Sequence, residues 1–464
     1  MTSSSTQEWA ATELATLDLG DGRRNRRAVQ IVHRLLDRPG GLITTVCDGP
    51  AEAKATYRFL SNPAVHPDAL RAALRDATVG RLVDEPIVLV PQDTTSLDFS
   101  AHPATAGLGP TSGGPDGGTG HGLHLHSALA VSAEGVPLGL LHQQDWARDP
   151  TEAGRKHQRK ERPFEDKESY RWLRTVQAVE AAVPADKLLA QIADREGDIY
   201  EVFAAPRRPG SHLLIRNSQD RGLVGEERRL WGQVADAAVA REFEMMVRTK
   251  RHLTMRRARL QLRYCTVTLR PPVSGTHDPD LEPVTLTALE LREIDPPRQE
   301  PVHWRLLTDL PTNSVADAVR HVRWYALRWL VERYHFVLKS GCRIETSQLH
   351  ARDRLERLLV LCSAVAVRLL WMTYSARVHP HAPCTVAFST VEWQVLYRHQ
   401  QKTQVLPPEP PRLPAAVRWL AQLGGFMGRT GDGEPGVKVL WRGQMRLQDI
   451  VTGFLLTSPD VGNA

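Results

Sequence analysis

The segment PIVLVPQDTTSLDFS (Pro86–Ser100) decides the fold. Its first part, PIVLVPQD, is a short apolar run that stops at Asp93. A run of this length and composition predicts a buried β-strand. An acid at the end of such a strand is costly to bury unless it is paired or has a chemical role. A single aspartate at a strand end is also a common turn former or helix cap, so Asp93 alone leaves a structural role open.

A second acid stands in a similar position. KLLAQIAD (Lys187–Asp194) predicts another strand, and GDIYEVFAA after it predicts a helix. Asp194 by itself has the same structural alternative as Asp93. Between the two acids, HLHSALAV and VPLGLLHQQ flank the turn AEG, which predicts a β-hairpin. The glycine-rich stretch Gly107–Gly122 predicts a mobile loop.

A third acid, Glu332, belongs to the helical segment YALRWLVERYHFVLK (Tyr325–Lys339). Tyr325, Arg328, Glu332 and Lys339 stand at offsets of 0, 3, 7 and 14. At about 100° per residue, these offsets place all four on one face of a helix. An acid flanked by two cations and a phenol suits a surface that binds phosphate and metal ions. Two alternatives stay open, an ordinary ion pair between Arg328 and Glu332 and a solvated helix end at Lys339.

The order of these elements predicts an α/β fold. Antiparallel strands carry the first acid, a helix and a further strand lead to the second, and a helix carries the third. We expect a ribonuclease-H-like catalytic core at residues 76–375, interrupted at about 211–310 by a β-strand-rich insertion. Helical domains are expected on either side, at 1–75 and 376–464.

The composition favours an intracellular protein with an anionic partner. The formal net charge of +6 is a modest basic excess. The five cysteines form no C-x-x-C pair, so we expect reduced thiols and a cytoplasmic location. The longest apolar run, near Leu358–Met372, is broken by Arg368, and the N-terminus shows no signal-peptide pattern. No membrane partner is expected.

Three motifs resemble those of the bacterial DDE transposases of the insertion-sequence-4 family. They are QDTTSL at Asp93, ADREGDIY at Asp194, and the spacing Y-x2-R-x3-E-x6-K that begins at Tyr325. Within that family the chain is most similar to the hairpin-forming cut-and-paste type of the kanamycin-resistance composite transposon. The similarity runs in the same order from Leu19 to Met427, through LGDGRR, TYRFLSNP, GLLHQQDW, KESYRW, IDPP and LGGFM.

The resemblance implies a metal-dependent DNA transposase that works in the bacterial cytoplasm, at the nucleoid. Asp93, Asp194 and Glu332 would hold two Mg²⁺ ions, for which Mn²⁺ can substitute. Hard divalent cations prefer carboxylate oxygens, and two of them about 3.5–4 Å apart stabilise both the attacking and the leaving oxygen. A homodimer would pair the two terminal inverted repeats in a synaptic complex, excise the element through a hairpin intermediate and join it to target DNA.

The resemblance also implies roles in binding DNA. The N-terminal domain would bind the transposon ends, and the C-terminal domain would form the dimer. Residues near the cleaved end would hold the backbone and a flipped base, and a tryptophan would stack on that base. The implied DNA contacts are Tyr325, Arg328, Lys339, Trp304, Arg216, Arg23, Arg24 and Arg27. From the residues alone, Trp304 is equally a core aromatic, and the RRNRR cluster is equally a solvated helix entry.

Two other functions stay open at this point. One is a catalytically inactive relative that binds transposon ends and inhibits the active form. The other is a ribonuclease-H-like nuclease without strand transfer. The intact set of three acids argues against the first, and the LGDGRR and LGGFM segments argue against the second, because a nuclease core alone does not require them.

Overall fold

The structure is a computed structural model, and it describes residues 4–112, 119–152, 162–248, 255–273, 280–296 and 301–457. A helical layer opens the chain. Its five helices are α1 (Ser5–Glu13), α2 (Gly22–Asp37), α3 (Ile43–Val46), α4 (Pro50–Leu60) and α5 (Pro67–Gly80). The side chain of Asp21 caps α2 by accepting a hydrogen bond from the Arg23 amide, and α4 and α5 each begin at a proline, a residue suited to the first helical turn.

One mixed sheet runs through the centre of the described molecule. Its strands are β1 (Ile87–Asp98), β2 (Gly109–Ser112), β3 (Thr119–Ser132), β4 (Pro137–Trp146), β5 (Leu188–Ala193), β6 (Ser211–Arg216), β7 (Arg241–Arg248), β8 (Met255–Leu269), β9 (Val284–Glu293) and β10 (His303–Thr308). They lie in the order β2-β3-β1-β5-β6-β10-β9-β8-β7, and β4 also pairs with β3. The β1–β5 and β5–β6 pairs are parallel, and the remaining pairs are antiparallel.

Helices make the parallel connections between these strands. Helix α6 (Arg171–Ala182) leads into β5, and the short helix α7 (Tyr200–Ala204) connects β5 to β6. After β6, helix α8 (Leu230–Asp236) and strands β7 to β10 extend the sheet, and the last of them returns to pair with β6. This mixed α/β architecture, with helical regions at both ends, confirms the predicted fold class and is consistent with a ribonuclease-H-like core that carries an insertion.

The predicted helix around Glu332 is divided into three pieces. Helix α9 (Val315–Ala326) begins with a capping box between Ser314 and Asp317. Helix α10 (Trp329–Phe336) carries Glu332, and a π-helical turn (Val337–Gly341) carries Lys339. The segment is therefore helical as predicted, but it is not one regular α-helix, so the offsets from Tyr325 to Lys339 do not all follow the angle of 100° per residue.

Long helices complete the fold. They are α11 (Arg352–Val378), α12 (Thr390–Gln401), α13 (Leu413–Leu423) and α14 (Val437–Thr457). Helix α11 is long and apolar enough to cross a membrane by composition, but 94% of its apolar window is buried inside the protein. It packs against α2, α5 and β4 and is the central helix of the core.

The glycine-rich stretch Gly107–Gly122 differs from its prediction as a mobile loop. Gly109–Ser112 forms β2 and pairs with the beginning of β3, while residues 113–118 lie outside the described residues. A β-carbon on Gly109 would stand 2.0 Å from the carbonyl oxygen of Arg148, and one on Gly122 would stand 1.9 Å from that of Leu97. Gly109 and Gly122 therefore allow neighbouring backbone segments to approach closely.

Gly443 permits the close crossing of α13 and α14. A β-carbon there would stand 1.9 Å from the carbonyl oxygen of Leu420. Gly443→Ala should therefore push the two helices apart and lower the free energy of unfolding by about 1–3 kcal/mol. Gly453 lies on the same helix with nothing within 4 Å of its added carbon, so Gly453→Ala should instead stabilise by roughly 0.5–1 kcal/mol. Urea denaturation of the two variants checks this, and equal shifts would contradict it.

Candidate active site

The parallel pairing of β1 and β5 places the first two acids at matching positions on neighbouring segments of the sheet. Val90 lies opposite Gln191 and Pro91 opposite Ile192. Continued by two residues, this register places Asp93 beside Asp194, which directly follows β5. Neighbouring strands lie about 4.8 Å apart, so two acids at matching positions are neighbours on one face of the sheet. The site therefore forms where β5 ends.

Helix α10 covers this part of the sheet and brings the third acid. His335, one turn after Glu332, lies 3.7 Å from the Asp93 carboxylate through Nδ1 and 3.2 Å from Ser127 Oγ through Nε2. Ser127 is the partner of Asp93 across the β1–β3 pair. The helix is therefore anchored directly above Asp93, with Glu332 at the open side, where 43% of its side chain is exposed.

The charges of Asp93 and Glu332 both act on Asp194. Burial raises the pKa of Asp194, and the charges of Asp93 and Glu332 raise it further, against the amide of Glu196 and the charge of Arg328. Repulsion of this kind is what a divalent cation held by carboxylates relieves. Oxygen donors of this type also fit Mg²⁺ or Mn²⁺.

The arrangement of the acids is not that of a closed metal site. Within the described residues, no group of three or more histidine, cysteine, aspartate or glutamate side chains is close enough to hold a metal ion. The carboxylate of Glu332 pairs with the Arg328 guanidinium, and an Asp194 oxygen accepts a hydrogen bond of 2.9 Å from the Glu196 amide.

Tyr325 is the centre of a cluster beside the acids. Burial raises the pKa of its phenol, while the nearby charges of Arg328 and Arg216 act to lower that pKa. The ring of Trp304 packs edge-to-face on Tyr325, with centroids 5.1 Å apart. Four of the residues assigned to DNA binding therefore lie together, although they come from β6, β10 and the α9–α10 segment.

Lys339 lies apart from that cluster. Its ammonium donates to the carbonyl oxygen of Ser96 on β1 and is 3.5 Å from the Glu345 carboxylate. Its side chain is 30% exposed. Lys339 therefore contacts the second half of β1, which follows Asp93. The first half of β1, before Asp93, is the part that pairs with β5.

Two family models match the ends of the chain. Residues 6–65 match the model "Transposase DNA-binding", and residues 364–457 match the model "Transposase Tn5 dimerisation domain". The matches support a Tn5-like DNA transposase. They also support DNA binding and homodimer formation, the first in helices α1–α4 and the second in α11–α14.

The arginines expected to contact the transposon ends lie in the DNA-binding match. Arg23 is 84% exposed and pairs with Asp21 at the N-terminus of α2. Arg24 donates to the carbonyl oxygen of Leu19, and Arg27 donates to the Gln30 side chain. The structure thus presents the Arg23 charge at the protein surface, whereas the Arg24 charge is partly used to fix the LGDGRR turn.

A pocket next to the Tyr325 cluster contains residues that the sequence did not single out. Its volume is about 280 Å³, and its lining includes Arg195, Arg216, Trp231, His303 and Arg305. The guanidinium of Arg305 lies 4.5 Å from the Trp231 ring. Arg195 directly follows Asp194, and Arg305 directly follows Trp304. Arg195 and Arg305 could have been found in the sequence as basic residues adjacent to predicted site residues.

Asp198, the last acid of the ADREGD motif, has a structural role. It is 1% exposed, and its carboxylate accepts hydrogen bonds from Asn217, from the amides of Ser218 and Gln219, and from Arg221. These bonds fix the loop that follows β6. Asp198 therefore positions one wall of the pocket that contains Arg216 and Trp231.

Proposed function

We propose that this chain is a cut-and-paste transposase whose cleavage site is formed by Asp93, Asp194 and Glu332. The observation that carries the proposal is the convergence of three acids from β1, the end of β5 and α10, where the charges of Asp93 and Glu332 both raise the pKa of Asp194. The two family matches support the coarser function, a DNA transposase that dimerises.

In this proposal the three carboxylates hold two divalent cations. When bound, such cations activate water or a 3′-hydroxyl and neutralise charge at the scissile phosphate. Glu332 would be a ligand of these cations in place of its present partner Arg328, and Arg328 would then be available to a DNA phosphate. The exposed side of Glu332 is where this exchange occurs. Lys339 holds the DNA backbone on the other side of Asp93.

We propose that the pocket lined by Trp231, together with Trp304, holds a base flipped out of the cleaved end. A pocket of about 280 Å³ suits one base, and its arginines suit the phosphates on either side of it. Holding an extruded base allows the tight turn of a DNA hairpin. Dimerisation through α11–α14 then pairs two ends in the synaptic complex, which joins the excised element to target DNA.

Trp231→Ala should reduce hairpin formation by about tenfold, because stacking on an aromatic ring contributes roughly 1–3 kcal/mol per base. End binding and the first nick should change little. Trp231→Phe keeps an aromatic face and should retain most of the hairpin yield. Separate quantification of nicked and hairpin products on a denaturing gel checks this. An equal loss of both products in Trp231→Ala would count against the pocket.

One observation favours the second candidate, a non-catalytic protein that binds transposon ends. Glu332 pairs with Arg328, and within the described residues the three acids do not have the geometry of a metal site. Incubating the protein with DNA that carries the sequences flanking its gene, with Mg²⁺, separates the candidates. Hairpin-ended excision supports the transposase, whereas binding without cleavage supports the end-binding protein. Nicking without any joining to target DNA would indicate a nuclease.

A further inference from the structure

Arg171, the first residue of α6, connects the two strands that carry the first two acids. Its Nε donates to Thr94 Oγ1 at 3.0 Å, next to Asp93 on β1. Its Nη2 donates to Glu196 Oε2 at 2.7 Å, two residues after Asp194. The side chain is only 12% exposed. One guanidinium therefore links the segments of both acids.

The guanidinium is itself held in place. Its Nη1 donates to the carbonyl oxygen of Glu168 at 3.0 Å. The rings of Trp146 and Trp172 each lie 5.6 Å from it. Thr94 Oγ1 is also 2.8 Å from His126 Nδ1, which ties the contact to β3. A planar guanidinium fixed in this way acts as a rigid connection, which a flexible lysine cannot reproduce.

Glu196 is a fourth carboxylate close to the site. Its side chain is 62% exposed, and its Oε2 atom accepts the 2.7 Å hydrogen bond from Arg171. Without Arg171, this carboxylate would lose the ion pair that holds it in this position. The contact with Arg171 thus fixes the position of the Glu196 carboxylate.

We propose that Arg171 is a positioning residue of the cleavage site. It fixes the spacing between the Asp93 and Asp194 segments and holds Glu196 away from them, so that the two aspartates are arranged to receive divalent cations. This inference rests on the proposed function, because it assumes that these acids bind metal.

The sign of the effect distinguishes positioning from simple electrostatics. Removing a positive charge close to a cation site should strengthen metal binding if charge alone matters. Removing a connection that sets the ligand spacing should weaken it, and loss of such supporting contacts typically reduces metal affinity by about 10–100-fold. The two explanations therefore predict opposite results for the same variant.

The test is Mn²⁺ binding to the full chain, measured from the paramagnetic resonance signal of free Mn²⁺, together with thermal unfolding. Arg171→Met and Arg171→Lys should both bind Mn²⁺ about tenfold more weakly than wild type. Arg174→Met is the matched control, because Arg174 lies one turn further along α6, lines the same cleft of about 760 Å³ and bonds to Gln144 rather than to Thr94 or Glu196. Its Mn²⁺ affinity should be unchanged.

Several results would overturn the inference. Tighter binding in Arg171→Met would show that its charge matters and its connections do not, and unchanged binding would show that neither affects the metal site. Wild-type affinity in Arg171→Lys would lead to the same conclusion, and this variant decides the question if Arg171→Met does not fold. Absence of Mn²⁺ binding in the wild type would overturn the proposed metal site itself, and the inference with it.

Discussion

Glu332→Ala abolishes DNA cleavage in our account, with a loss of about 10³-fold or more, while binding of the transposon ends is retained. The physical reason is the loss of one of three carboxylate ligands, since cations at such a site contribute several kcal/mol of transition-state stabilisation. Glu332 is 43% exposed and bonds to Arg328 alone among the contacts found for it, so its removal should leave the fold intact. A gel-shift assay and a cleavage assay on the same DNA measure the two effects.

The control for this variant is Glu244→Gln. Glu244 is an exposed acid on β7 that pairs with Arg257, outside the site. Its removal should leave both binding and cleavage at the wild-type level. Residual cleavage by Glu332→Ala within about tenfold of wild type would contradict a role for Glu332 as a metal ligand.

Arg328→Ala should impair hairpin formation far more than the first nick, by about 10-fold or more in the ratio of the two products. The side chain is 17% exposed and pairs with Glu332, and its charge acts to lower the pKa of the Tyr325 phenol. Burial opposes its charge, but Tyr325, Glu332 and Asp93 outweigh that effect and raise the pKa of Arg328 above its usual value. The Arg328 guanidinium is always charged and can donate two parallel hydrogen bonds. Beside a pocket that holds a flipped base, it should bind the closely spaced phosphates of a hairpin better than the straight end of a nicked duplex.

Two further variants sharpen that test. Arg328→Lys keeps the charge but loses the fork, so it should recover only part of the hairpin yield. Arg320→Ala removes an exposed arginine of α9 that pairs with Asp317, and should change neither product. Equal losses of nicked and hairpin DNA in Arg328→Ala would assign Arg328 to the support of Glu332 and not to the hairpin.

Local patterns predicted the parts of the site that depend on one segment. The strand that ends before Asp194 and the first half of β1 were visible as short apolar runs, although β1 continues past Asp93 to Asp98. The helix around Glu332 was visible from its periodicity. The parallel register that places the two aspartates at matching positions could not be predicted from the sequence, because it depends on the pairing of β1 with β5. The break between α9 and α10 was missed for a related reason, since periodicity does not register a single turn at Leu327 and Arg328.

Residues that act through distant contacts were beyond the reach of sequence patterns. Trp231 enters the pocket because Asp198 and Asn217 fix the loop after β6, and Trp231 Nε1 donates to Asn217 at 2.6 Å. Arg171 is 77 residues from Thr94 along the chain, and only the fold places its guanidinium beside it. In both cases the sequence shows a common residue type without a local motif.

The most direct test of the account is the position of Mn²⁺ in crystals of the protein bound to its DNA ends, located by anomalous scattering. The account predicts anomalous peaks between Asp93, Asp194 and Glu332, with Glu332 turned away from Arg328 and Arg328 on a DNA phosphate. Peaks elsewhere, or none while Glu332 still pairs with Arg328, would contradict the assignment of these three acids as the cleavage site.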